Sequence, residues 1–238
     1  PVRPDVRALE GYHSPQVSVG VRLNTNESPF PPPAAWRDAY AAEMSRVEWQ
    51  RYPDRMATQL RDGIAALHGV RREQVFAANG SNEVLQTLLL TFAGPGRAVA
   101  TFEPTYQLHG QIARITGATV VEGERAADFS LDMAEVQRVL SAAQPVVTFL
   151  CSPNNPTGMV EPEANVRRLL AEVPGLLVVD EAYGQFAPWS ALGLVDDDVP
   201  LVVTRTFSKT WSLAGAGKVD GRPALLLSDL YFLDHYGK

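Results

Sequence analysis

Along residues 98–204, short runs rich in β-branched and aromatic residues alternate with longer segments of helical periodicity, and nothing else in the chain constrains its fold as tightly. Apolar runs at 98–102, 119–121, 146–151, 176–180 and 201–204 read as strands, and the segments 106–116, 133–143 and 165–172 read as helices between them. A strand, a helix and a second strand in succession give parallel neighbours, because the crossover carries the chain back to the same end of the sheet. Such a sheet must be covered on both faces. The expected fold is therefore α/β, a three-layer α/β/α arrangement around a mainly parallel sheet, with ligands at the carboxyl ends of its strands.

Upstream, residues 24–33 are too rich in proline for regular structure and are expected to be extended, ahead of a helix over 34–45. Residues 1–50 thus read as an N-terminal arm with a first helix, and 51–238 as the sheet domain. A turn at Arg51-Tyr52-Pro53 leads to a helix over 56–68, where Leu60, Ile64 and Leu67 recur at helical spacing. Another helix opens at Gly80-Ser81-Asn82-Glu83 and carries Val84, Leu85, Leu88, Leu89 and Phe92. Pro223-Ala224-Leu225-Leu226-Leu227 can add a further strand, and Asp196-Asp197-Asp198 reads as a solvated loop.

Bulk properties narrow the function. With 45% apolar residues among 238, the chain can bury a core of ordinary size. A net charge of -6 without a basic patch argues against nucleic acid as a partner, and no apolar run is long enough to span a membrane. Residues 1–7 lack the apolar centre of a secretory signal, and the single Cys151 forms no internal disulfide, which suits a reducing cytoplasm. Four scattered histidines give no metal-ligand spacing.

Three strand ends carry polar residues of unusual kind. Val147 to Leu150 is followed by Cys151-Ser152-Pro153-Asn154-Asn155-Pro156-Thr157-Gly158, a rigid turn that aims an asparagine amide outward. The run 176–179 is followed by Asp180-Glu181-Ala182-Tyr183, and the run 201–203 by Thr204-Arg205-Thr206-Phe207-Ser208-Lys209. Singly, each has a commoner reading as a turn asparagine, a capping aspartate or a surface lysine. Together, at successive strand ends of one sheet, they converge on one crevice.

The chemistry that suits this set is that of pyridoxal phosphate. Lys209, among hydroxyls and apolar walls, can form an imine and later carry a proton. A desolvated Asp180 keeps a pyridine nitrogen protonated by direct ion pairing. Asn155 and Tyr183 can hydrogen-bond the ring's phenolic oxygen, and Tyr106 can stack on its face. Ser81 and Asn82, at a helix start, can hold the phosphate, with hydroxyls from Thr206 and Ser208.

Asn24-Thr25-Asn26-Glu27-Ser28-Pro29, Arg51-Tyr52-Pro53, Gly80-Ser81-Asn82-Glu83, Pro104-Thr105-Tyr106, Ser152-Pro153-Asn154-Asn155-Pro156-Thr157-Gly158, Asp180-Glu181-Ala182-Tyr183 and Thr206-Phe207-Ser208-Lys209 with Leu213-Ala214-Gly215 resemble histidinol-phosphate aminotransferases, fold-type I pyridoxal-phosphate enzymes. The resemblance implies transfer of an amino group between L-histidinol phosphate and 2-oxoglutarate, in histidine biosynthesis. It also implies a homodimer in which Tyr52 reaches the partner's cofactor phosphate, with Tyr12 and Asn26 helping to hold the substrate. The same motifs are similar to those of a threonine-phosphate decarboxylase and of aromatic aminotransferases. A reading of a different class is a non-catalytic remnant of the large domain.

Two departures stand out. The resemblance implies an arginine on the cofactor phosphate at 217, where this chain has Gly217; losing such a contact costs about 1.5 to 3 kcal/mol of binding. The pattern fades from there to Lys238, and the small C-terminal domain of the family is not found in the sequence.

Overall fold

A computed structural model describes residues 1–9, 15, 17–215, 218–219, 222–223 and 229–232. The arm contains helix α1 (Pro4–Arg7) and leads into α2 (Ala34–Met44), with residues 17–33 outside helix and strand. There follow α3 (Thr58–His68), β1 (Val75–Ala78), α4 (Ser81–Phe92), β2 (Ala98–Glu103), α5 (Leu108–Thr116), β3 (Thr119–Glu124), α6 (Met133–Ala143), β4 (Val147–Cys151), α7 (Glu163–Glu172), β5 (Leu176–Asp180) and β6 (Leu201–Arg205). Short strands β7 (Lys218–Val219), β8 (Arg222–Pro223) and β9 (Asp229–Phe232) complete the described chain.

One sheet of order β1-β9-β6-β5-β4-β2-β3 forms the centre. β6, β5, β4, β2 and β3 run parallel, and β9 lies antiparallel between β6 and β1. Alternation along each strand divides the apolar residues between two cores. Leu177 and Val179 of β5 and Leu201 and Val203 of β6 pack with Ile64 of α3, Val136 and Val139 of α6, and Val166 and Leu169 of α7. Leu176 and Val178 of β5 and Val202 of β6 pack with Val84, Leu85, Leu88 and Leu89 of α4 and Ile112 of α5. The chain is thus three layers, helices on both faces of a mainly parallel sheet.

The structure corrects several sequence-based expectations. Helix α3 starts at Thr58, because the Asp54 carboxylate accepts the backbone N–H groups of Met56 (2.9 Å) and Thr58 (2.7 Å) and holds a turn there. Tyr106 lies ahead of α5 and outside it, after a turn in which the Glu103 carboxylate accepts the Thr105 N–H at 3.0 Å. β1 has no counterpart in the periodicity, being four residues long and half alanine, a poor strand former. The described strand next to β6 is β9; of the strand expected at 223–227, Pro223 belongs to β8 and the rest lies outside the described residues. Asp196, Asp197 and Asp198 are exposed, as expected, and Asp197 in addition accepts from Arg71 and from Gln74 Nε2.

Candidate active site

Register carries the polar strand ends to one line, for Cys151 pairs with Asp180 and Asp180 with Thr204 across β4, β5 and β6. At that edge lies a cavity of about 310 Å³. Asn155, Asp180, Tyr183, Thr206, Ser208 and Lys209 line it from the sheet side, and Ser81, Asn82 and Tyr106 from the side of α4. Asn24, Thr25 and Asn26 of the arm close it. A second cavity of about 720 Å³ shares Asn26, Asn155, Tyr183 and Lys209 and extends between Arg22, Phe30 and Phe186.

Asp180 is 2% exposed and sits on the α4/α5 face of the sheet, in step with Leu176 and Val178. Burial on its own raises its carboxyl pKa. The hydrogen bond and charge of His109, with further bonds from the Ala182 N–H and the Thr204 hydroxyl, outweigh burial and hold it below the ordinary carboxylate value. His109 Nε2 lies 2.8 Å from Asp180 Oδ2, while Oδ1 accepts from Thr204 Oγ1 at 3.0 Å and Ala182 N at 3.1 Å. The imidazole is held by Phe149, stacked at 4.5 Å with planes 5° apart, and by the edge of Tyr106 at 5.3 Å. Its Nδ1 is buried without a hydrogen-bond partner among the described residues. The neighbouring Cys151 thiol is pushed far up by burial and by the Asp180 charge, so it stays protonated.

Opposite the carboxylate, Lys209 Nζ donates to the Thr25 carbonyl at 3.3 Å and lies 5.6 Å from the centre of the Tyr183 ring. The Tyr183 hydroxyl accepts from Asn26 Nδ2 at 3.0 Å, and Ser212 Oγ donates to Ser28 Oγ at 2.7 Å. Residues 25–28 of the arm are therefore bonded across the mouth of the cavity.

Helix α4 begins at this edge because Gly80 takes a φ of +86°, a left-handed value that side chains disfavour, and turns the chain from β1 into the helix. Glu83 accepts the Asn79 N–H at 2.6 Å and secures the turn. The first-turn N–H groups of a helix have no acceptor within it, and their dipole favours an anion. Asn82 Oδ1 accepts the Tyr106 hydroxyl at 3.1 Å, fixing that ring beside the cavity.

In the turn after β4 the two asparagines divide. Asn154 is buried and spends its amide on the fold, accepting from Thr105 Oγ1 and donating to Pro104 O and Thr157 Oγ1, each at 2.9 Å. Asn155 is the one that lines both cavities. Thr206 Oγ1 accepts the Ser208 N–H at 2.9 Å, so that hydroxyl also shapes the turn carrying Lys209.

Among the other expected site residues, Tyr52 is fully exposed and lines neither cavity of its own chain. Tyr12 and Gly217 lie outside the described residues. The sequence reasoning missed His109 and Thr204. His109 lies in the first turn of α5, which packs on β2 and β3; its imidazole stacks on Phe149 of β4 and so reaches Asp180 of β5, which only the strand order β5-β4-β2 makes visible. Thr204 was legible as the residue in register with Asp180. Two buried ion pairs were also missed: Arg205–Glu181 and Arg125–Glu161, each at 2.5 Å.

The fold and this edge define an α/β protein that faces a lysine amine with a buried carboxylate across one cleft. The chain belongs to the aminotransferase class I and II family, which it matches over residues 18–226. It is 46% identical over 244 residues to the histidinol-phosphate aminotransferase of Frankia casuarinae, covering 95% of this chain and 61% of that protein. To that of Mycobacterium marinum it is 46% identical over 238 residues, covering 95% and 62%. The chain thus spans somewhat more than half the length of the curated relatives it matches. In fold it is similar to the histidinol-phosphate aminotransferase of Sinorhizobium meliloti, solved in complex with pyridoxal-5'-phosphate, with a TM-score of 0.82, 23% identity and coverage of 98% of this chain and 62% of that one. Among the described residues no helix is long and apolar enough to cross a membrane.

Proposed function

We propose that this chain is the pyridoxal-phosphate-binding portion of a cytoplasmic, homodimeric histidinol-phosphate aminotransferase, moving an amino group between L-histidinol phosphate and 2-oxoglutarate. One observation carries the reading: Lys209, Asp180, Asn155 and Tyr183 line a single cavity whose volume falls at the lower end of the roughly 300–1,000 Å³ common for small-molecule sites. The donor set fits the cofactor. A carboxylate held below its ordinary pKa, an amine and a helix N-terminus, all lining one cavity, suit a cationic ring nitrogen, a carbonyl carbon and a phosphate.

When bound, pyridoxal phosphate supplies an aldehyde that amines can attack and a protonated ring that withdraws electrons. The chain's own residues do the rest. Asp180 would hold the proton on the ring nitrogen, and His109 and Thr204 keep its carboxylate charged and aimed. Asn155 and Tyr183 would bind the phenolic oxygen, and Tyr106 would cover the ring face. Ser81, Asn82, Thr206 and Ser208 would bind the phosphate, joined by Tyr52 of the partner subunit. Lys209 Nζ would hold the carbonyl carbon and, once the amino donor takes its place, would serve as the base that moves the proton between substrate Cα and that carbon. Asn26, which already touches Tyr183, faces the substrate, as does Tyr12 by the resemblance.

The test is direct. The purified chain is mixed with pyridoxal phosphate and reduced with borohydride, and its three lysines, Lys209, Lys218 and Lys238, are mapped by mass spectrometry. Before reduction, a yellow protein forming glutamate from histidinol phosphate and 2-oxoglutarate is expected, and after reduction the adduct on Lys209. A colourless protein without adduct overturns the cofactor reading and favours the non-catalytic remnant, and carbon dioxide released from threonine phosphate overturns the substrate.

A further inference from the structure

Glu181 and Arg205 follow Asp180 and Thr204 directly, and strand alternation turns them to the opposite face of the sheet. The ends of β5 and β6 are therefore joined twice. On one face the Thr204 hydroxyl meets the Asp180 carboxylate at 3.0 Å; on the other Arg205 Nη2 meets Glu181 Oε2 at 2.5 Å. The backbone joins between them, with the Glu181 N–H donating to Thr204 O at 2.9 Å.

The second pair reaches further than the strands. Ser190 Oγ lies 2.7 Å from Glu181 Oε2 and 2.8 Å from Arg205 Nη2, and Glu181 Oε1 accepts the Ala191 N–H at 2.6 Å. These bonds hold the far end of the loop 182–190, which begins with Ala182 and Tyr183. The near end is pressed against the same pair: a Cβ on Gly184 would stand 2.9 Å from Arg205 Cζ and 3.0 Å from Glu181 Oε2. The segment that follows Arg205 is the turn carrying Lys209.

We infer that the Glu181–Arg205–Ser190 cluster is a positioning device that sets Lys209 and Tyr183 against Asp180 from behind the sheet, without touching the cavity itself. Neither Glu181 nor Arg205 lines either cavity, and both are buried, at 3% and 7% exposure. A pair whose purpose was stability alone would serve as well replaced by apolar residues, since desolvation offsets most of the attraction between buried charges. What an apolar pair cannot supply is the fork of directed bonds that locks strand ends and loop in one geometry.

The inference concerns the site used in the aminotransferase reading, but its test needs no cofactor. R205M alone leaves a buried carboxylate without its cation and is expected to lose the fold. The informative variants are S190A, which keeps the ion pair and removes its third member, and the uncharged double variant E181Q/R205M. In the cofactor-free protein, the acylation rate of Lys209 across a pH series is measured by mass spectrometry, with Lys218 and Lys238 of the same molecules as references. Thermal melting is followed in parallel. Around Lys209 stand the Tyr183 ring from the loop and the Thr25 carbonyl from the arm, and Asp180 lines the same cavity.

The expected result is that both variants melt cooperatively while the Lys209 rate, relative to the references, changes by roughly threefold or more, as when neighbouring charges and donors shift in a partly buried site. A Lys209 profile that stays with wild type in both variants overturns the inference, whatever happens to melting. Should the double variant fail to fold, S190A decides alone. A wild-type chain that fixes no cofactor on Lys209 would defeat the functional reading and leave this comparison intact.

Discussion

The bond between His109 and Asp180 gives the most exacting test of the site, because its loss should weaken a pH dependence of known sign. Replacing His109 by Phe keeps an aromatic ring stacked on Phe149 and deletes only the 2.8 Å contact to Asp180 Oδ2. In the wild-type protein Asp180 titrates below its ordinary value. Between that lowered value and the ordinary one the folded state binds fewer protons than the unfolded chain, so stability rises with pH and is lost as pH falls through the folded pKa. In H109F, Thr204 and Ala182 remain, but burial at 2% exposure becomes the larger influence and the folded pKa moves upward. A hydrogen bond to a charged group contributes about 1.5–3 kcal/mol, and its loss raises the folded pKa. The stability that Asp180 contributes as pH rises through that window shrinks accordingly. Urea midpoints of both proteins, taken at intervals between about pH 3 and pH 6, give the difference curve. H109F should lose about 1.5–3 kcal/mol at the upper end and progressively less toward the lower end. Two curves that run parallel across the series would refute the assignment of His109 as the group that keeps Asp180 charged.

Other substitutions test other parts of the argument. R125M strands the Glu161 carboxylate, 2% exposed at its side chain, and should cost about 3–5 kcal/mol in urea unfolding. G175A places a Cβ 2.7 Å from Val146 C in the backbone of the turn entering β4, and should lower stability by about 1–3 kcal/mol with no change in the folded protein's Lys209 labelling. G217R restores a cation where the family pattern has one; titration with pyridoxal phosphate should show roughly tenfold to hundredfold tighter binding, and unchanged affinity would mean that position 217 does not face the phosphate.

Much of the fold was legible because its strands are of the doubly buried kind. β4, β5 and β6 are buried at every position, so they stand out as continuous apolar runs, and the helices between them declare themselves by their spacing. β1 escaped because its neighbour β9 lies more than a hundred and fifty residues away in sequence, and only that pairing makes the short, alanine-rich segment a strand. The site was legible where function leaves polar residues at apolar strand ends, as at Asp180, Asn155 and Lys209. It was illegible where a residue acts through packing. His109 in the sequence is one polar residue in a helix, and only the strand order that sets β4 and then β5 beside β2 makes it the partner of a buried carboxylate. Glu181 and Arg205 read as ordinary loop charges until the strand register sets them side by side.

The three buried ionic contacts at this edge share a physical logic. His109–Asp180, Glu181–Arg205 and Arg125–Glu161 all lie near the carboxyl ends of the parallel strands, where the sheet's own ladder stops. Beyond that point no repeating backbone bonds fix the chain, and apolar contact is tolerant of small shifts, since it scales with area more than with direction. Arg125 donates to Glu161 and to the Phe129 and Phe102 carbonyls, while the Glu161 carbonyl accepts from Trp189 Nε1 at 3.0 Å and the Glu161 N–H donates to Ser152 Oγ at 3.1 Å. That pair thus ties the turn bearing Asn155 to the loop ending at Ser190, as the Arg205 pair ties that loop to the turn bearing Lys209. Each contact costs desolvation and returns little net stability. Each also constrains direction where the ladder no longer does. An edge that must hold an amine, an amide and a carboxylate in fixed relation is where directed bonds are worth that cost, and the order of the ties, from Asn155 through the loop to Lys209, follows the order of the groups around the cavity.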